Sequence, residues 1–553
     1  MTVKASVQGL AIVDRARLRK GWTKTRTPIW WELAHTSQAT LRRFWRGKAI
    51  QTETFASICQ AVGISDWQTI IDQSPEIEAD AAVSESTSES TLEIRSDLRQ
   101  DWQKLPDVNY FYGRTKELNQ LEQWISTDRC KLVVLLGMGG IGKTTLAVAL
   151  ADAIQDDFEG LVWRSLHPAP PLPVLLSDLV SSLSQQPVTF SPTEVRQGIA
   201  RLIECLRQLR CLIILDEMEA ILRSSEGRAH PRVGSYQEGY EDYSELLQRI
   251  SKQRHQSCVL VTSREKPQEI AALEGQALPV RCLQLRGLQE PDACELFKAK
   301  GFLGTEPKLA ELVRLYRGNP LALKVITTII QEVFNGSIIA FLSQNTIVVP
   351  HDLRALIGQQ VNRLSNLEKE VVYWLTIAIE PITLVQLRSY LLTPPTQSVL
   401  LEAIASLERR SLLEKLTGAK DIQFALQPLV SKVLTDELID QVLGELFSII
   451  ATQTLAPLNL LRSHALVKPS SDTTQPSAHW LTNRLKDRLY AEFKNEYRME
   501  RELKAMLPLL KHQSLLAIGY TSQNLMELFR ILDIGTIDDW QDIPLWNHRS
   551  PCY

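Results

Sequence analysis

One stretch constrains this chain more than any other. An apolar run at residues 131–136 is followed at once by Gly137-Met138-Gly139-Gly140-Ile141-Gly142-Lys143-Thr144-Thr145, and then by helical spacing through residue 154. The pattern G-x-x-x-x-G-K-[ST] carries meaning only between a strand and a helix, and that is where it stands. Its glycines let backbone amides turn inward around a phosphate without Cβ clashes. The helix N-terminus adds unpaired N–H groups and the positive end of a dipole. Lys143 is the candidate cation for β- and γ-phosphate oxygens, and the Thr144 hydroxyl the candidate Mg²⁺ ligand.

A second apolar run, residues 211–215, ends in Asp216-Glu217. Asp216 at a strand tip can hold Mg²⁺ through water, and Glu217 can orient or deprotonate an attacking water. A third run ends in Thr262-Ser263-Arg264. An arginine there can meet a γ-phosphate and register its presence. Lys143, Asp216 and Glu217 are thus the candidate catalytic groups, Thr144 and Asp216 the candidate Mg²⁺ pair.

Around these runs, residues 107–288 alternate strand-length apolar segments (131–136, 160–164, 211–215, 258–262, 281–285) with helical ones (144–154, 173–183, 193–206, 243–253). Such alternation predicts an α/β fold with a mainly parallel sheet. Residues 223–243 are polar and rich in Gly and Tyr, a long surface loop that Tyr236, Tyr240 and Tyr243 could anchor. Residues 289–345 read as helices, with Gly318-Asn319-Pro320 opening a strong one. Residues 350–440 read as helices followed by a hairpin at 412–426 broken at Gly418, and 441–530 as helices interrupted by the polar stretch 469–476.

With 44% apolar residues and a net charge of −3, the 553-residue chain has ordinary cores and no bulk attraction for nucleic acid. The charge is uneven, since residues 1–50 hold eleven Lys/Arg against Asp14 and Glu32, a net of +9. Asymmetry of that kind hints at a partner surface. The acidic, Ser-rich stretch following residue 71 has no aromatic residue through position 100 and reads as a disordered linker. Eight scattered cysteines with no C-x-x-C pair point to a reducing compartment rather than a disulfide framework. No run approaches the ~20 residues of a membrane span and no leader pattern stands at the N-terminus, so the expectation is a cytoplasmic protein without membrane contact. His167, His230, His255, His351 and His464 have no metal or triad spacing and are expected at the surface or at caps.

Over residues 111–430 the chain resembles a P-loop NTPase of the STAND class, of NB-ARC type. Phe111-Tyr112-Gly113-Arg114 is similar to the family's opening motif, whose Gly-Arg lies near adenine. Gly137–Thr145 is similar to its Walker A, 212–217 to its Walker B, Thr262-Ser263-Arg264 to its sensor strand end, and Arg317-Gly318-Asn319-Pro320-Leu321-Ala322 to the G-x-P-L-A motif, in which Pro320 would pack on the nucleotide. The resemblance implies ATP/ADP with Mg²⁺, a multidomain α/β plus α chain, a sheet of order 2-3-4-1-5, then a helical bundle and a winged helix. It also implies slow ATP hydrolysis and self-association on activation.

Three departures stand out. Gln427 occupies the place of the family's ADP-contacting His, and an amide there can donate but carries no charge. Asp216-Glu217 replaces a common Asp-Asp pair, which favours hydrolysis. The family's repeat sensor, often WD repeats, is not legible, and 455–553 is similar to the helical region that precedes it. The domains expected are 1–70 helix-turn-helix module, 71–106 linker, 107–288 P-loop domain, 289–348 helical bundle, 349–440 winged helix and 441–553 C-terminal helical region.

Residues 10–70 resemble a Cro-type helix-turn-helix, with Ser37 capping a recognition helix. Gln38, Thr40, Arg42, Arg43, Arg46 and Lys48 could meet DNA. The same fold could instead dock an effector protein, with its arginines merely solvated. Trp30, Trp31 and Trp45 read as core.

Overall fold

Five apolar runs form one parallel sheet: β1 (Leu132–Leu136), β2 (Gly160–Ser165), β3 (Cys211–Asp216), β4 (Cys258–Ser263) and β5 (Val280–Gln284). Their order across the sheet is β2-β3-β4-β1-β5. The computed structural model describes residues 2–22, 28–36, 38–45, 50–71, 111–225, 234–344, 347–417, 421–468, 479–535, 540 and 542–546. The expected linker, apart from residue 71, together with Ser37, Arg46, Lys48, His230, Gly418, the stretch 469–476 and the side chains of Gln38 and Arg42, lies outside the described residues.

Alternate residues of each strand enter opposite cores. Leu132, Val134 and Leu136 join Ile213, Leu215 and the inner faces of helices Leu172–Ser184, Val195–Gln208 and Asp242–Lys252. Val133 and Leu135 join Leu212, Ile214 and helices Thr115–Glu122 and Lys143–Ile154. Both sheet faces are covered, which is why the strands are nearly continuous apolar runs. Because every strand runs the same way, their C-terminal tips share one edge, where parallel α/β sheets place their ligands.

The chain divides into two compact units, one comprising 1–137, 141–222 and 235–304, the other 138–140, 223–234 and 305–553. Besides the sheet, the first holds an N-terminal helical module: Val7–Arg19, Pro28–Leu33, Gln38–Trp45 and Thr52–Ala61, with Thr2–Val3 pairing Ile50–Gln51. Trp30 is fully buried there and donates from Nε1 to the Ile58 carbonyl at 3.1 Å, while Trp31 and Trp45 pack half-buried around this core. Arg17 is 2% exposed. Its guanidinium meets Asp14, the Trp22 carbonyl, Asn119 and, at 3.4 Å, Glu122 on the helix that leads into the sheet.

The loop after β3 is anchored as expected. Leu222 bridges to Tyr236, while Tyr240 and Tyr243 donate to the carbonyls of Ala169 and Pro170.

Among the described residues, the second unit is helical apart from one sheet of three strands, β6 (Ile382–Thr383), β7 (Leu413–Thr417) and β8 (Ile422–Leu426), in the order β6-β8-β7. The expected hairpin is β7 and β8; β6 was not foreseen. Asn319 caps helix Pro320–Phe334, accepting from the Ala322 amide and donating to the Gly139 carbonyl at 3.2 Å, both partners lying in this unit.

His464 is the C-cap of the short helix Leu460–Ser463, a cap as expected though not an exposed one. His464 is buried, with its Nδ1 beside Ser463 Oγ at 2.8 Å, its Nε2 at 3.1 Å from the Glu370 carbonyl and its ring against Trp374. Burial lowers its pKa to about 4. His167 and His351 are exposed, and His255 is half-buried.

Candidate phosphate site at the sheet edge

The loop from β1 into helix Lys143–Ile154 passes through Gly142 at φ +96°, a left-handed conformation that a side chain resists. Met138 and Ile141 bury their side chains, so these two residues offer a ligand only backbone. Thr144 and Thr145 sit on the helix's first turn.

Lys143 is 9% exposed and donates from Nζ to the Gly137 carbonyl at 2.9 Å. Burial lowers its pKa to about 8; Glu219, Asp216 and Glu217 oppose that shift and Arg264 adds to it. An ammonium held among mixed charges in a desolvated cleft gains more from a polyanion than a solvated one does.

Thr144 Oγ1 lies 3.1 Å from both carboxylate oxygens of Asp216. Thr262 Oγ1 also donates to Asp216 Oδ1, and itself accepts from the Glu217 amide at 3.1 Å. Burial pushes the Asp216 carboxyl above its usual range, against the hydrogen bonds from Thr262 and Thr144. A desolvated carboxylate beside a hydroxyl is a hard-oxygen pair that fits Mg²⁺, a cation bound by one or two carboxylates plus phosphate and water. No cluster of three His, Cys, Asp or Glu able to hold a metal occurs among the described residues, and all seven described cysteines are free.

Glu217 follows β3 in a left-handed conformation, φ +62°. Its Oε2 accepts from Ser165 Oγ at 2.9 Å. Ser165 ends β2 and is the register partner of Asp216. Arg264, just past β4, is gripped by Glu219: Nε is 2.9 Å from Oε1, and the backbone N–H donates to Oε2 at 3.1 Å. Neither Ser165 nor Glu219 was singled out in the sequence. Their roles come from neighbouring strands and a 3₁₀ turn, which no linear spacing signals.

Gly113 and Arg114 open the described part of this domain at positive φ. A Cβ on Gly113 would collide with the Asp292 side chain, so the backbone approach there requires glycine. Arg114, 5% exposed, pairs with Glu117 and donates to the Ile141 carbonyl at 3.1 Å, bracing the phosphate loop. Pro320 and Gln427 belong to the second unit. Pro320 begins its helix behind Asn319, and Gln427 precedes helix Pro428–Thr452 and donates to the Ser411 carbonyl at 3.3 Å. The structure thus brings Lys143, Thr144, Asp216, Glu217 and Arg264 together at one sheet edge.

Residues 114–220 match the NB-ARC domain family. An uncharacterized WD repeat-containing protein of Nostoc sp. is 40% identical over 473 residues, covering 80% of this chain and 37% of that protein. A putative disease resistance protein of Arabidopsis thaliana is 25% identical over 252 residues, covering 42% of this chain and 21% of that one. Among solved structures, a signal transduction ATPase with numerous domains and a tetratricopeptide repeat sensor, from Pyrococcus horikoshii, is similar at 17% identity and a TM-score of 0.30, over 78% of this chain and 60% of that one. The chain therefore spans little more than a third of the Nostoc relative and about a fifth of the plant one. The glycine loop, Lys143, Thr144 and Asp216, gathered at the edge of the parallel sheet, all lie within the residues that match the NB-ARC domain family.

Proposed function

We propose that this chain is an ATP/ADP-dependent signalling switch of the STAND class, with slow hydrolysis resetting it. The observation that carries the reading is the Thr144–Asp216 contact beside buried Lys143. Backbone amides of 137–142 would surround the β-phosphate, Lys143 would bridge β- and γ-oxygens, and Arg264 would meet the γ-phosphate. Thr144 and Asp216 would hold Mg²⁺, whose contribution is to neutralise phosphate charge. Glu217 would hold and deprotonate the attacking water once released from Ser165.

Gly113, Arg114, Pro320 and Gln427 complete the nucleotide-binding set in this reading, with Pro320 against base or sugar and Gln427 a neutral donor toward ADP. Switching draws on the different affinities of two conformations for the γ-phosphate. ATP in place of ADP would expose a self-associating face, and residues 1–70 would deliver the output. In the test, purified chain retains ADP or ATP, Lys143→Ala loses both, and light scattering registers a larger species with ATP than with ADP. Nucleotide retention by Lys143→Ala would count against the site itself.

A second reading, an ATP-binding transcription regulator, is favoured by the net +9 of residues 1–50 together with the helices Pro28–Leu33 and Gln38–Trp45. Part of that charge is already committed, because Arg17 is buried and Lys20 donates to the Ala61 carbonyl. We therefore place an effector protein ahead of DNA as the partner. Duplex affinity that falls steeply with salt would reverse that order.

A further inference from the structure

Glu219 matches none of the sequence patterns considered above, yet it makes the tightest set of contacts to Arg264. It lies on the 3₁₀ turn Met218–Ile221, which begins directly behind Glu217. One carboxylate oxygen lies 2.9 Å from Arg264 Nε as an ion pair, and the other accepts from the Arg264 backbone N–H at 3.1 Å. The two side chains are only 17% and 14% exposed, so the pair is screened less than an ordinary surface ion pair. An ion pair at Nε and a hydrogen bond at the backbone N–H of the same residue hold that side chain at two points. A free arginine side chain carries rotamer entropy that a phosphate would have to overcome on binding. The grip leaves both Nη groups without a hydrogen-bond partner among the described residues.

We propose that Glu219 is the positioning residue for Arg264, presenting its two Nη groups as a ready fork for the γ-phosphate and so setting the preference for nucleoside triphosphate over diphosphate. The inference rests on the reading that the glycine loop takes a nucleotide. An Nη fork matches two oxygens of one phosphoryl group, a geometry only a pre-aimed guanidinium supplies without reordering. Glu219 has a second effect. Lys143 feels both Arg264, which disfavours its charge, and Glu219, which restores it. Before phosphate arrives, the carboxylate keeps two cations tolerable in one cleft. After it arrives, Glu219 stays on Nε while the phosphate takes Nη.

The experiment is isothermal titration of the full chain with adenylyl imidodiphosphate and, separately, with ADP, each with Mg²⁺. Arg264→Ala should weaken the triphosphate analogue about tenfold, in line with a charge-assisted hydrogen-bond pair, and leave ADP within about twofold. Glu219→Ala should reproduce that selective loss at about three- to tenfold, and Glu219→Ala/Arg264→Ala should be no worse than Arg264→Ala. Glu219→Gln keeps the shape and one acceptor oxygen, so it should fall between wild type and Glu219→Ala with an unchanged circular dichroism spectrum. Equal weakening of both nucleotides by Glu219→Ala and Glu219→Gln, additive losses in the double variant, or no selective loss in Arg264→Ala would each overturn the inference. Those results leave the nucleotide site standing. Wild-type chain that binds neither nucleotide would instead remove the site.

Discussion

Ser165 donates its hydroxyl to Glu217 at 2.9 Å, across the tips of two adjacent parallel strands. The carboxylate proposed for water activation is thereby tied to its neighbour strand. Ser165→Ala should raise single-turnover phosphate release several-fold while changing nucleotide affinity less than about twofold. Glu217→Gln should lower release by about a hundredfold or more, the usual scale for losing a general base. A quench-flow time course separates the two, and an unchanged rate in both variants would remove Glu217 from the chemistry.

Lys143 supplies a pH signature. In the unfolded chain a lysine keeps its proton to about 10.4, whereas here burial lowers the pKa to about 8. Between those values the unfolded state binds more protons, so this group's destabilising contribution is full below pH 8 and fades as pH rises from 8 toward 10. A bound polyphosphate favours the charged form again. Nucleotide binding near pH 8.5 should therefore take up a proton, seen as a dependence of calorimetric enthalpy on buffer ionisation heat. Affinity should fall as pH climbs past 8, by at most about tenfold per unit from this group.

His464 and Glu370 oppose one another. Burial holds the histidine near pKa 4, so its contribution to stability is present above pH 6.5 and lost as pH falls toward 4. Burial raises Glu370 to about 7, so its contribution is present below pH 4.5 and lost as pH rises through 7. In the window between pH 4.5 and 6.5 the two slopes largely cancel. Glu370→Gln should unmask the histidine and make stability rise with pH there, and His464→Phe should leave it falling. Urea titrations followed through Trp374 fluorescence, whose ring lies 5.1 Å from His464, read this directly.

Arg17→Ala removes a buried cation from among Asp14, Asn119 and Glu122. Breaking a buried, hydrogen-bonded ion pair costs about 3 kcal/mol. Hydrogen exchange in residues 7–19 should accelerate accordingly, with the strands of the central sheet unaffected. Acceleration spread evenly over the whole chain would mean that the pair is not a local tie.

The sheet and the loop were legible because their signals are local: an apolar run, a glycine spacing, an acid pair and an arginine at strand ends. Glu219 and Ser165 escaped because their partners, at positions 264 and 217, are 45 and 52 residues away and meet them only through strand adjacency and a short turn. The strand Ile382–Thr383 escaped because two residues show no alternation. His464 sits at a helix cap, one of the two places expected, but a single histidine carries no periodic cue to its burial, which follows from aromatic packing by Tyr373 and Trp374 and from the contact with the Glu370 carbonyl. The neutral Gln427 was visible from the start, yet its hydrogen bond to Ser411 depends on how the β7–β8 hairpin returns to the helix that follows.

The helix Thr115–Glu122 carries a contact at each end. Arg114, its cap, holds the Ile141 carbonyl of the glycine loop, and Glu122, its last residue, meets Arg17 of the N-terminal module. Eight residues of α-helix make a rod about 12 Å long. A rod that short does not flex, so a tilt at one end is delivered to the other: the glycine-rich turn and the first helix of the chain share an axle.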